Sequence, residues 1–553
     1  MRSTSRVLPA AVLVAVLLAG CTSGDDDAGA EPTGGVTAPA AAVVATAPEA
    51  SRTLVADADP AAAAVSTSRA LFTAAPVVVL VGPEDAPAEL LGAVAAVGLG
   101  VPLLVGAPDV VGPELERLGV ETVLAVGADA DAQLPPGGDV DVVAVPTDAA
   151  ALAAVTGLDI GPAQQVDDAG RAAAVAGLGP DTLPALQPPG SDAEESPSAP
   201  DPGELPAVRR GEPLADVVVL ASGAPGTLAG IATARAAGAE VLLTGGADPR
   251  ASAEVVDRLA TEPTVVVLGA DLAGAPGIDW KLDTAATGTQ LPGGGQVLFP
   301  GHMLVALYGI PGSAALGLLG EQDLPGAIAR AQQMADQYRP LVDTTVVPTF
   351  EIIATVASSS AGSDGDYSAE QDVETLRPWV EAAGEAGVYV VLDLQPGRTD
   401  FLTQAKEYES LLQLPHVGLA LDPEWRLEPG EVHLTQVGQV GIDEVNEVVT
   451  WLADLTRDRA LPQKLLVLHQ FQVRMIIDRE RLNTSRDELA IMVHADGQGG
   501  QPAKQSTWEV LHRNAPAPLY WGWKNFIDED SPMLTPQQTI EQVHPTPELV
   551  TYQ

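Results

Sequence analysis

Apolar residues in this chain fall in short runs punctuated by Gly, Pro and acidic residues, and the runs alternate with stretches whose small apolar residues recur at helical spacing. Between residues 67 and 131 the pattern predicts strands at 77–81, 101–105 and 122–126, the last closing on Gly127, with helices at 86–98 and 111–118 between them. That order is βαβαβ, the mark of a parallel sheet with helical crossovers. From residue 215 it returns at nearly the same spacing, with strands at 217–220, 240–244 and 264–268 and helices at 226–237 and 251–260, which predicts an internal duplication. A first α/β unit is therefore placed at 65–186, extended by 139–145 and the Ala-rich segment after it, and a second at 207–280. The Pro-, Gly- and Ser-rich stretch 187–206 reads as a linker.

Residues 290–553 carry seven more apolar runs, at 302–308, 346–353, 388–392, 417–421, 464–468, 490–493 and 519–524, with helical patterns at 324–338, 370–386, 401–412, 442–456 and 504–513. Seven strand and helix units with an irregular eighth element predict a (β/α) TIM-like barrel in preference to an open sheet. The fold class is thus α/β throughout: two parallel layered units, then a barrel. Pro348 weakens the second run, because a central strand needs the N–H that Pro lacks.

Polar residues fall at the ends of these runs. Asp393 and Gln395, Asp422 and Glu424, His469 and Gln470, and His494 and Asp496 each sit where a strand should stop. In a closed parallel barrel those ends meet at one C-terminal mouth, the face on which such barrels carry their sites. Tyr308 closes the first run, Glu351 lies inside the second, and Trp425, Trp521 and Trp523 are assigned to the same rim. Aromatic rings beside carboxylates and amides suit sugars, whose flat apolar faces are edged with hydroxyls. A single carboxylate at a strand end is as often the N-cap of the next helix, so it is the convergence of several that argues for a site.

Composition divides the chain in the same place. All seven Trp, seven His and seven Tyr lie after residue 279. Since binding and catalysis draw on these residue types, the chemistry is expected in the second half. A length of 553 residues and a hydrophobic content of 46% support two or three domains. The formal net charge of −46, from 74 acids against 28 bases, repels a phosphate backbone and argues against a nucleic-acid partner. No G-x-G-x-x-G follows the first strand of either α/β unit, and no cofactor is expected.

The N-terminus reads as an address. Arg2 and Arg6 precede an apolar run at 7–18, which closes on Leu18-Ala19-Gly20-Cys21, the only cysteine in the chain. This segment resembles the lipobox of bacterial lipoproteins, which implies lipid modification of Cys21, removal of the residues before it, and anchoring of the mature chain on the outer face of the cell membrane. Residues 1–21 are then a signal peptide. Residues 22–64, rich in Ala, Pro, Gly, Thr and Asp, are expected to form a flexible tether.

Two further resemblances rest on motifs within the folded parts. The strands Val101-Pro102-Leu103-Leu104-Val105 and Glu240-Val241-Leu242-Leu243-Thr244-Gly245, with the closing strands Val123-Leu124-Ala125-Val126-Gly127 and Val265-Val266-Val267-Leu268-Gly269, resemble the type 2 cell wall binding repeat of Gram-positive surface proteins. That resemblance implies non-covalent attachment to an anionic wall polymer. Leu419-Ala420-Leu421-Asp422-Pro423-Glu424-Trp425 resembles the fourth-strand signature of chitinase-like family 18 glycoside hydrolases, which ends Asp-x-Glu, and Trp521-Gly522-Trp523 is similar to their late-strand tryptophan.

The hydrolase likeness implies that Glu424 is a general acid, that Asp422 orients a substrate acetamido group or steadies positive charge, and that the late tryptophans floor a sugar site. Where that family has a further Asp, two residues before Asp422, this chain has Ala420, so Asp393, Glu351 or the substrate itself would have to assist. Two other readings stand beside it. His469, His494, Asp393 and Asp496 could make a hydrolytic metal centre, although no H-x-H occurs on the first barrel strand and no H-E-x-x-H anywhere. Alternatively the barrel only binds a wall glycan or scaffolds other proteins.

Overall fold

The computed structural model describes residues 41–137, 139–191 and 205–553. Cys21, the first part of the expected tether and most of the expected linker lie outside the described residues.

Order begins earlier than composition suggested. Arg52–Val55 (β1) is a strand and Pro60–Leu71 (α1) a helix, so the expectation of a tether as far as residue 64 is corrected over its last part. The helix start was encoded locally: the Asp59 side chain accepts from the Ala62 N–H, and Pro60 occupies the first turn, where its missing N–H does no harm. There follow Val77–Val81 (β2), Ala86–Leu99 (α2), Leu103–Val105 (β3), Pro108–Leu118 (α3), Thr122–Val126 (β4) and Asp141–Val145 (β5). These four strands form a parallel sheet in the order β3-β2-β4-β5.

A second parallel sheet is built from Val217–Ala221 (β6), Glu240–Leu243 (β7) and Thr264–Leu268 (β8), in the order β7-β6-β8-β1. Its fourth strand thus comes from upstream of the first sheet, and the two sheets are not drawn from two consecutive segments. The first sheet and one face of the second share a core, in which Val79, Leu91 and Val94 join Val219, Ile231 and Val266, while the other face of the second packs against Val255, Val256 and Leu259. Thr233, on the helix Leu228–Ala236 (α4), accepts from the Leu103 N–H at 3.0 Å and donates to the Leu103 carbonyl at 3.2 Å, which satisfies the otherwise open edge of β3.

The second half is a closed barrel. His302–Gly309 (β9), Thr345–Ala357 (β10), Tyr389–Leu394 (β11), Val417–Leu421 (β12), Lys464–Gln470 (β13), Leu489–Ala495 (β14), Tyr520–Asn525 (β15) and Leu549–Tyr552 (β16) pair in parallel, each with the next. Pairing of β16 with β9 closes the ring. The expected irregular eighth element is this short C-terminal strand. Pro348 is tolerated because β10 pairs with β11 only from Thr349 onward, leaving Pro348 opposite Val305 alone.

Strand alternation sends Leu304, Val391, Ala420, Val467 and Met492 into the barrel and their neighbours out against the helices. The two halves of the chain meet around Arg250. This buried side chain pairs with Asp248 at 2.8 Å, donates to the Asp487 carbonyl at 3.0 Å and lies over the Trp280 ring.

Closure by β16 generates a prediction. A chain ending after Pro547 loses the burial of Leu549, Val550 and Tyr552, roughly 5–9 kcal/mol at a few kcal/mol per side chain, and leaves β9 and β15 as open edges. The expected outcome is loss of the cooperative thermal transition and of near-ultraviolet circular dichroism from the barrel tryptophans; an unchanged melt would show that β16 does not close the barrel.

Candidate active site

Above the apolar layers, each barrel strand directs one polar side chain to the interior at or near its C-terminal end. They are Tyr308 from β9, Glu351 from β10, Asp393 from β11, Asp422 just beyond β12, His469 from β13, His494 from β14, Lys524 from β15 and Thr551 from β16. All eight are buried. Period-two alternation puts them on the same side of their strands as the interior residues two positions earlier, such as Ala306, Val391, Ala420, Val467 and Met492.

These groups are tied together. The Tyr308 hydroxyl donates to Asp393 Oδ2 at 2.7 Å and accepts from Gln395 Nε2 at 3.2 Å. Gln395 is fixed in turn, its Oε1 accepting from the Ala357 N–H at 2.9 Å. Thr551 Oγ1 donates to Glu351 Oε2 at 2.8 Å. His469 stands between two acids, with Nδ1 3.1 Å from Asp496 Oδ2 and Nε2 2.8 Å from Glu351 Oε1. Lys524 Nζ lies 3.6 Å from the centre of the Tyr308 ring, a cation over an aromatic face in a desolvated setting.

A cavity of about 720 Å³ opens above this layer, lined by Tyr308, Gln395, Asp422, Glu424, Trp425, Asp496 and Lys524, with Phe471, Phe526, Gln472, Gln498 and Leu434 among the walls. The volume suits a ligand of a few sugar rings or similar bulk. Glu424 sits in a short turn after β12, and its N–H donates to Asp422 Oδ1 at 3.2 Å, so the Asp-x-Glu spacing places both carboxylates at one wall.

Electrostatics separates the acids into two groups. Burial pushes the Glu424 carboxyl up to about 7, with the nearby Asp496 charge adding to the rise. Burial likewise raises Asp393 to about 6 and Asp422 well above the usual carboxylate range. Burial opposes ionisation of Glu351 too, but the His469 contact and the charge of His469 outweigh it and hold the group at about 2. For His469 burial is outweighed by Asp496 and Glu351, which raise it well above its ordinary value, whereas burial drives His494 down to about 3. The site therefore pairs an acid that keeps its proton near neutrality with a buried ionised cluster beneath it, the separation that acid–base chemistry requires.

The expected site residues divide accordingly. Tyr308, Gln395, Asp422, Glu424, Trp425 and Asp496 reach the cavity. Glu351, Asp393, His469 and His494 are brought together but lie below its lining, fully buried. Asp393 caps no helix; the helix after its strand is capped by Asp400. Gln470 is not at the mouth, because alternation from His469 turns it outward, where Oε1 accepts from Arg479 at 3.0 Å.

Trp521 and Trp523 are also displaced from the expected site. Gly522 and Lys524 take the inward positions of β15, and both indoles pack outward against Trp508, with Trp521 stacked on His512 at 3.5 Å. The interior already holds Tyr308 and two imidazoles and has no room for two indoles at this level. Lys524, Thr551, Phe471 and Phe526 were not expected. Alternation along Trp521-Gly522-Trp523-Lys524 was the available signal for Lys524, while nothing local marked Thr551.

Among the described residues, Glu351, His469 and His494 offer one ligand atom each within 4.8 Å of one another, a spacing compatible with a shared cation. No described helix is long and apolar enough to cross a membrane.

No protein-family model matches the chain, and no curated protein matches it. Two solved structures are similar to it in part. Cwp6 from Clostridium difficile aligns at 15% identity and a TM-score of 0.31 over 57% of this chain and 64% of that one. Cwp8 from Clostridium difficile aligns at 15% identity and a TM-score of 0.31 over 44% of this chain and 53% of that one. The chain thus spans less than two thirds of either solved protein.

The raised Glu424 carboxyl makes stability depend on pH. Its folded value of about 7 lies above the usual 4.5, so between these the folded chain keeps a proton that the unfolded chain has released. This contribution is complete below pH 4.5 and is lost as pH rises through 7, to the extent of about 2 kcal/mol after allowance for partial exposure. Denaturation of Glu424→Gln against the parent from pH 4 to 8 is expected to show the variant gaining relative stability as pH rises; parallel curves would place the Glu424 carboxyl at its ordinary value.

Proposed function

We propose that the barrel binds and hydrolyses an N-acetylated amino-sugar glycan of the cell wall, with Glu424 as the proton donor to the leaving oxygen. The observation that carries this reading is the pairing of Glu424, raised to about 7 and so still protonated near neutrality, with Asp422 on one wall of a cavity that also holds Trp425. A general acid must hold its proton at working pH and reach the bond that breaks.

Glu351 and Asp393 do not line the cavity, which leaves Asp422 and Asp496 as the other carboxylates beside the substrate. That distribution favours a route in which the acetamido oxygen of the sugar attacks its own anomeric carbon as Glu424 delivers its proton. The bond to the leaving oxygen breaks, and Asp422 orients the amide, while the ionised Asp496 is the carboxylate at the cavity that can offset its charge. Water then enters with Glu424, now ionised, as base, which restores the acid.

The lipobox-like segment supports a lipid anchor at Cys21, and the likeness of the α/β strands to wall-binding repeats supports contact between the first half and a wall polymer. The alternative within the same setting is a barrel that binds the glycan without cleaving it.

Incubation of the full-length chain with peptidoglycan and with chitin oligosaccharides tests the reading by release of reducing ends. Glu424→Gln is expected to lower kcat by about 10²–10⁴-fold. In the parent, kcat should fall as pH rises through about 7, where the donor loses its proton. Turnover unchanged in Glu424→Gln would remove it as the acid, and binding of the same oligosaccharides without turnover by the parent would establish the recognition reading instead.

A further inference from the structure

The layer beneath the cavity contains an arrangement that proton donation by Glu424 does not use. Four fully buried side chains, Glu351, Asp393, His469 and His494, are each held through one edge, and each leaves an atom on the other edge with no hydrogen-bond partner. Glu351 Oε2 accepts from Thr551 at 2.8 Å, leaving Oε1 free. Asp393 Oδ2 accepts from Tyr308 at 2.7 Å, leaving Oδ1 free. His469 Nδ1 is 3.1 Å from Asp496 Oδ2, leaving Nε2 free. His494 has neither ring nitrogen bonded, and its Cδ2 edge is packed where β15 carries Gly522; a Cβ there would stand 2.5 Å from Cδ2.

The free atoms face one another. His469 Nε2 lies 2.8 Å from Glu351 Oε1 and 3.8 Å from Asp393 Oδ1, and His494 Nδ1 lies 3.9 Å from Glu351 Oε1. The 2.8 Å contact is not aligned as a hydrogen bond, and both of its atoms count as unpartnered. An unsatisfied buried polar atom costs about 1–3 kcal/mol, so a cluster of them requires an explanation.

We infer that Glu351, His469 and His494 form a binding site for one divalent transition metal of the zinc class beneath the cavity floor, with Asp393 Oδ1, 3.8 Å from His469 Nε2, beside it. The donor set of two imidazole nitrogens and one carboxylate oxygen suits Zn²⁺, which takes such ligands at about 2.0–2.2 Å and completes its four-coordinate shell with water or a further carboxylate such as Asp393. Ligands at that radius stand roughly 3.3 Å apart in a tetrahedron; the ligand atoms of Glu351, His469 and His494 already lie within 4.8 Å of one another, with Glu351 Oε1 2.8 Å from His469 Nε2 and 3.9 Å from His494 Nδ1. Asp496 behind His469, Thr551 behind Glu351 and Tyr308 behind Asp393 are outer partners of the kind that orient metal ligands and fix an imidazole tautomer. The cation would offset the crowded carboxylates and lock Tyr308 and Asp496, which line the cavity. The inference does not depend on Glu424 being an acid.

The test uses the full-length chain, loaded with Zn²⁺, dialysed against metal-free buffer and assayed by emission spectroscopy. About one zinc per chain is expected, and Co²⁺ in its place should give the intense visible absorption of a four-coordinate ion. Thr551→Val, which removes no ligand and keeps the side-chain volume, should weaken affinity by about 10–100-fold. Gly522→Ala should weaken it as well by displacing the His494 ring. Glu424→Gln should retain the metal whatever its effect on turnover, which separates this inference from the acid reading.

Parent protein that keeps no zinc or cobalt after dialysis would overturn the site, as would undiminished metal in a folded His494→Ala, Glu351→Gln double variant. Should that double variant fail to fold, the Thr551→Val affinity and the parent cobalt spectrum decide the matter.

Discussion

Closing eight parallel strands into one ring forces their C-terminal ends to face a common axis, and this chain places charged or polar groups on all of them. Acids from β10 and β11 and the acid just beyond β12 cannot move apart once β16 has joined β9. In so confined a space their charges would repel strongly at low effective dielectric. His469 from β13 and Lys524 from β15 enter the same layer and supply the opposing charge. The contact between His469 and Glu351, from strands far apart in sequence, is the interaction on which the rest of the mouth depends.

Everything above that layer follows from it. With Glu351 held ionised by His469, and Asp393 engaged by Tyr308, the cavity floor is set by a phenol and an amide instead of by loose carboxylates. Asp422 and Glu424 then stand on the wall with no cation bonded to them, and burial pushes both toward the protonated form. One site thus separates an ionised Glu351 beneath the cavity from Asp422 and Glu424, both raised, on its wall. Glu351, which looked catalytic in the sequence, lies fully buried below the cavity lining.

Much of this was legible from residue order. Short continuous apolar runs, each ending in a polar residue, located seven of the eight barrel strands and brought Asp393, Asp422, Glu424, His469, His494 and Asp496 to one mouth. The runs did not reveal depth: whether a strand-end residue lines the cavity or lies under it depends on stagger between strands, which no single run encodes. Trp521 and Trp523 were misplaced because a strand pattern states that alternate residues share a face without stating which face is inside. Here the available space decided, admitting Gly522 and Lys524. β1 was hidden because its partner strand, β8, lies some two hundred residues away and its flanks have the composition of a linker. β16 offered only four residues near the end of the chain, too few for a period to register.

Glu351 and His469 meet inside the closed ring, and a double-mutant cycle measures that meeting directly. Chemical denaturation of the parent, Glu351→Gln, His469→Gln and the double variant, with chelator present at pH 6, is predicted to give a coupling of at least about 1 kcal/mol. Additive effects, with no coupling beyond about 0.3 kcal/mol, would mean that the two side chains do not touch and that the strand ends do not converge as described.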